Sequence, residues 1–149
     1  MKKIISFIFV LFLVGCSKQE YFTCNIEVNN KIDNYTLTGN YKIYYNDNYV
    51  TKIEKQEEYE SEDEYILSYF QESKDLEYYN LNDNYKGFEH KITKGENNVR
   101  IKVAIDMNLV EVEKMVKDKK IDKNYVISNK LTTSGIVKIY ETKGAVCNK

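Results

Sequence analysis

Residues 35–58 read YTLTGNYKIYYNDNYVTKIEKQEE, two stretches of alternating side chains around a polar turn. Tyr35, Leu37, Tyr41, Ile43 and Tyr45 keep one parity through Gly39, the pattern of a half-buried strand that bends or bulges at its glycine. Asn46-Asp47-Asn48 is a hairpin turn, and a further strand runs from Tyr49 to about Glu58. A lone hairpin is at best marginally stable in water, so the flanking sequence must supply partners. Upstream, Phe22, Cys24, Ile26 and Val28 alternate in the same way before Asn29-Asn30-Lys31 turns the chain.

Downstream, Ser61-Glu62-Asp63-Glu64 is a capping-box pattern that predicts a helix. Ile66, Tyr69, Phe70 and Ser73 follow at helical spacing, and the helix is expected to reach about Tyr79 before Asn80 to Asn84 break it. Phe88, His90 and Ile92 predict a fourth strand, Gly95 to Asn98 a turn, and Val99, Ile101, Val103 and Ile105 a fifth. Asn108 with Glu111 is a second capping pattern, leading Leu109, Val112, Met115 and Val116 along one helical face. A last helix follows Thr133 or Ser134, with Ile136, Ile139 and Tyr140 inward and Lys143-Gly144 as its stop. The order βββα then ββαα predicts an α+β fold, an antiparallel five-stranded sheet with about three helices on one face.

The N-terminus has a different character. Lys2 and Lys3 precede an apolar run from Ile4 to Val14, the layout of a secretory signal. As a helix the run would cover roughly 16 Å, too short for a hydrocarbon core about 30 Å thick. Leu13-Val14-Gly15-Cys16 then resembles the lipobox of bacterial lipoproteins, which implies a signal peptide over 1–15 and a diacylglyceryl thioether on Cys16. It further implies a short tether over 16–20 and a single domain over 21–149. Two or more acyl chains, palmitate-like in kind, make a stable membrane anchor. The lipobox, Cys24 on the first strand and Tyr45 followed by Val50 and Ile53 at the second hairpin form one part of a wider likeness. Gly87-Phe88, Ile105-Asp106 and the late Cys147 complete it. Together they resemble the YehR-like group of small bacterial lipoproteins. That resemblance implies the fold and the anchor, and it carries no activity or catalytic residue.

Removing 1–15 takes away two lysines and no acids, moving the net charge from −1 to −3. A mildly acidic surface argues against a nucleic-acid partner. The chain has no proline and 14 tyrosines, and its Asn, Lys, Ile and Tyr richness points to AT-rich codons and a low-GC, Gram-positive bacterium. Once Cys16 is acylated, Cys24 and Cys147 remain as a candidate disulfide in an oxidising compartment, or as two separate small buried hydrophobes. A bridge closing nearly the whole domain is worth about 4–5 kcal/mol in the chain-entropy account.

Chemistry-bearing motifs are few. His90 is the only histidine, so no multi-histidine metal site is expected; its reading is a partly buried sheet residue. Glu54 to Glu64 holds seven acids against one lysine, read as a solvated face whose acids suit a helix N-terminus. Asn46-Asp47-Asn48 and Asn82-Asp83-Asn84 open like calcium loops but lack the later spacing, so both are read as turns. No catalytic residue, metal ligand or cofactor is assigned.

The expectation is a non-enzymatic lipoprotein on the outer side of the cytoplasmic membrane, held there by the lipid on Cys16. It would bind a protein, peptide or cell-wall ligand through an open sheet face; Tyr35, Tyr41, Tyr45 and Tyr49 could line one surface and Tyr44 the other, although the plainer reading is an AT-biased sequence filling core and sheet positions with tyrosine. The alternatives are an envelope hydrolase using His90 with Glu89 or Asp106, and a structural lipoprotein without a ligand.

Overall fold

The computed structural model describes residues 19–149, so Cys16 and the signal over 1–15 lie outside the described residues. The chain forms β1 (Glu20–Asn30), β2 (Tyr35–Asn46), β3 (Tyr49–Glu60), α1 (Glu64–Asn84), β4 (Phe88–Lys94), β5 (Asn98–Asp106) and α2 (Val112–Lys117). A 3-10 turn (Lys123–Tyr125), a short hairpin of β6 (Val126–Ile127) and β7 (Lys130–Leu131), α3 (Thr133–Thr142) and β8 (Val146–Asn148) complete it. The fold is α+β, as the alternation predicts. The sheet has six strands rather than five, in the order β4-β5-β3-β2-β1-β8, and β6 and β7 form a separate pair. Every pairing is antiparallel.

The unexpected sixth strand follows from the cysteines. Cys24 and Cys147 stand opposite each other in β1 and β8 and are joined by a disulfide. The bulge also lies elsewhere than expected. Gly39 continues the ladder, and the register shifts at Tyr44/Tyr45, where Lys52 and Val50 are the partners and Thr51 is the extra residue. That insertion lets Val50 and Ile53, three apart, both enter the core.

The helices differ from expectation at their ends. Asp63, not Ser61, caps α1, accepting from the Tyr65 N–H at 2.8 Å. Ser61 is still tied to the sheet, its N–H donating to the Asn97 carbonyl and its hydroxyl to that of Asn34. Nor does α1 stop at Tyr79, because Tyr78 and Tyr85 are buried at helical spacing and Leu81 packs beside them. Asn82-Asp83-Asn84 is therefore helix end and not a turn. At the next helix, Asn108 folds back onto Asp106 in an Asx turn, so α2 starts only at Val112 and leaves Leu109 exposed. For α3, Thr132 is the cap, accepting from the Gly135 N–H at 3.0 Å.

All three helices lie on one face of the sheet. Phe22, Cys24, Ile26, Tyr41, Ile43, Ile53, Tyr59, Val99, Ile101 and Val103 point into that layer. Leu67 of α1, 1% exposed, meets the β3–β5 half, and burial of such a side chain contributes about 1.5–3 kcal/mol. Met115 of α2 with Ile136 and Tyr140 of α3 meet the β1–β3 half. The two clusters touch at Leu81 and Ile105.

Candidate functional site

The tyrosines do not make an exposed aromatic face. Tyr35, Tyr41 and Tyr45 share the parity of Ile43 and so pack under the helices; Tyr49 is half-buried with Lys130 over its ring at 5.5 Å. On the open face only Tyr21 and Tyr44 pair, at 5.8 Å, with Lys42 over Tyr21 at 4.0 Å. The centre of that face is a hollow of about 640 Å³ lined by Asn25, Thr38, Asn40, Gln56, Glu58, Arg100 and Lys102 together with the aliphatic Ile26, Ile101 and Val146. Several of its polar groups serve one another: Asn40 donates to Asn25 at 2.7 Å, and Glu58 accepts from Asn98 and from Arg100.

His90 lies under α1 with Tyr78 5.7 Å away, and its Nε2 is 3.3 Å from Asp75. Neither expected carboxylate joins it. Glu89 is the next residue on a strand and so projects to the opposite face, while Asp106 accepts from Asn108 at the end of β5. Among the described residues, no group of three His, Cys, Asp or Glu side chains could hold a metal ion, and no helix is long and apolar enough to cross a membrane.

The acidic run is not uniformly solvated. Ile53, Lys55, Glu57 and Tyr59 share the core-facing parity of β3, which buries Glu57. Its Oε1 accepts from the Tyr41 hydroxyl at 2.8 Å and lies 3.3 Å from the Lys55 ammonium. Lys55 also donates to the Tyr78 hydroxyl at 2.7 Å, and Tyr140 stacks on Tyr41 with centroids 4.4 Å apart. Strands β2 and β3 and helices α1 and α3 are thus joined by one polar network. Gly39 makes room for it, since a β-carbon there would stand 2.7 Å from Ile26 Cγ2 and 2.9 Å from the Tyr41 hydroxyl. Burial pushes the Glu57 carboxyl up, but Lys55, the Tyr41 hydroxyl and Lys74 outweigh it and hold it below the ordinary value. Burial, then the Glu57 charge, raises Tyr41 and Tyr59, and Tyr78 likewise.

This network closes one side of a cleft between α1, α2 and α3. The cleft has a volume of about 420 Å³, and its apolar walls include Ile53, Leu81, Phe88, Ile105, Met115 and Ile139. Lys55, Glu77, Lys120 and Lys143 bring charge to it. The walls are braced at the far end of α1. Tyr85 donates to Asp118 at 2.6 Å, which raises the phenol to about 12, and Lys114 donates to the Asn84 carbonyl at 2.6 Å. A concavity of roughly 300–1,000 Å³ with apolar walls and a few polar groups is the usual form of a small-molecule site. The sequence signal for its polar end was the strand parity of Lys55 and Glu57, hidden within the acidic run.

No family model and no curated protein matches the chain. Solved structures do. An NMR structure of a protein from Streptococcus pneumoniae TIGR4 is similar at a TM-score of 0.50 and 13% identity, over 99% of this chain and 97% of that one. An NMR structure of the E. coli YehR protein is similar at a TM-score of 0.54 and 14% identity, over 89% of this chain and 94% of that one. The chain shares the fold of YehR. At this identity the likeness to YehR carries the architecture alone, so the cleft has to be judged on its own residues.

Proposed function

We propose that this protein is a lipoprotein of the cell envelope, anchored through Cys16 on the outer side of the cytoplasmic membrane, whose domain is a binding module and not an enzyme. The cleft on the helical face is its ligand site. The observation that carries this reading is the 420 Å³ concavity, apolar in its walls and charged at its rim. The hollow of the open face has Ile26, Ile101 and Val146 as its aliphatic side chains, against Ile53, Leu81, Phe88, Ile105, Met115 and Ile139 among those of the cleft. The anchor is supported by the lipobox at residues 13–16 and the preceding apolar run. His90 has the Asp75 carboxylate 3.3 Å from its Nε2, but among the described residues no Ser, Thr or Cys is hydrogen-bonded to it, so it is paired with no nucleophile.

Growth with an alkynyl fatty acid tests the anchor. The intact chain should incorporate the label on the peptide that begins at Cys16, and Cys16→Ser should abolish incorporation and release the protein from membranes. Equal labelling of Cys16→Ser would overturn the anchor.

A further inference from the structure

We infer that the cleft takes a fatty-acid anion, a single alkyl chain against the apolar walls with its carboxylate at Lys120 and Lys143. This rests on the cleft being the ligand site and adds the class of ligand. Charge complementarity is the first argument. Three lysines and one glutamate line the cleft. Lys55 is engaged by Glu57, and Glu77 by Lys74 at 2.7 Å, whereas Lys120 and Lys143 form no ion pair among the described residues. Lys143 is exposed in area, yet burial of its surroundings, then Lys55, holds its ammonium below the ordinary lysine value. A carboxylate beside it would offset both effects by favouring the charged ammonium.

Size is the second argument. A volume of about 420 Å³ lies at the small end of ligand sites, which suits one chain and not two.

Position is the third. Four peptide steps separate Cys16 from Glu20, so at about 3.3–3.6 Å per residue the start of the sheet lies within roughly 14 Å of an anchored cysteine. Glu20 pairs with Tyr45 and Tyr45 with Val50, while Ile53 pairs with Ile105 and Ile105 with Phe88. The cleft residues Ile53, Ile105 and Phe88 therefore sit at the anchored end of the sheet, beside the source of acyl chains.

The test uses the full chain carrying Cys16→Ser, so that no attached lipid competes, and calorimetric titration with dodecanoate, dodecanol and dodecyltrimethylammonium below their micellar concentrations. Dodecanoate should bind at least tenfold tighter than dodecanol, and the cation not measurably. Lys143→Gln with Lys120→Gln should erase the preference for the anion, bringing dodecanoate to the affinity of dodecanol for the same variant. Ile139→Trp, which fills the cleft, should abolish both. Equal binding of the anion and the alcohol would overturn the carboxylate assignment and leave the cleft standing as a site. Binding of none of the three, in a chain whose circular dichroism shows it folded, would overturn both.

Discussion

Lys55 and Glu57 form the most buried ion pair among the described residues. Their side chains are 13% and 9% exposed, and a buried charge deprived of its partner costs about 3–5 kcal/mol, whereas an apolar replacement of both is near neutral. Glu57→Ala should therefore lower the urea-unfolding free energy by that amount, and Lys55→Met with Glu57→Leu should recover most of it. Additive losses would show that the two charges act independently. Acid should act on the same residue. The folded Glu57 has its pKa below the ordinary 4.5, so its contribution is complete above that value and is lost as pH falls through the lower, folded value. At pH 7 Glu57→Ala should differ fully from the native chain, and the gap should narrow only on the acid side of 4.5. The pair escaped a reading of the sequence because seven acids in eleven positions look like a solvated surface, although the two-residue period from Ile53 to Tyr59 puts positions 55 and 57 inward.

The strands were legible because each presents alternate apolar side chains to a single covered layer. Phe22-x-Cys24-x-Ile26 and Val99-x-Ile101-x-Val103 enter the core as their parity requires. The ends of elements were less legible, since tertiary contacts decide them. Burial of Tyr78 and Tyr85 holds α1 helical through an asparagine-rich stretch that propensity alone would end. Strand β8, three residues long, is too short to show a period, and its place comes from pairing with β1 and from the bridge at Cys147. Replacing Cys24 and Cys147 by serine should therefore cost about 2–5 kcal/mol and detach the edge locally. Amide exchange at Val146 and Asn148 should rise by orders of magnitude while Val99 and Ile101 stay protected. Uniform loss of protection would instead make the bridge a condition of the whole fold.

Across the whole molecule, one sheet separates two surfaces of different chemistry. The outer surface carries amides, hydroxyls and charges, among them the Lys52–Glu54 and Arg100–Glu58 pairs; the inner one is covered by three helices, and the gap between them has apolar walls with Lys120 and Lys143 in its lining. A binding role was legible in the sequence only as a class, because the cleft is assembled from β3, β5, α1, α2 and α3, and no single segment carries its pattern. Binding was expected through the open face, but Tyr35, Tyr41 and Tyr45 fill the core, in line with the AT-biased reading of them, and the concavity with the larger set of apolar side chains lies on the helical face. The most direct measurement is a nitrogen-15 spectrum of the full chain carrying Cys16→Ser, recorded during titration with dodecanoate. Concentration-dependent shifts are expected at Leu81, Tyr85, Ile136, Ile139 and Lys143, with Asn25, Asn40, Gln56 and Arg100 unmoved. Shifts confined to the open-face residues, with the cleft silent, would contradict the cleft as the ligand site.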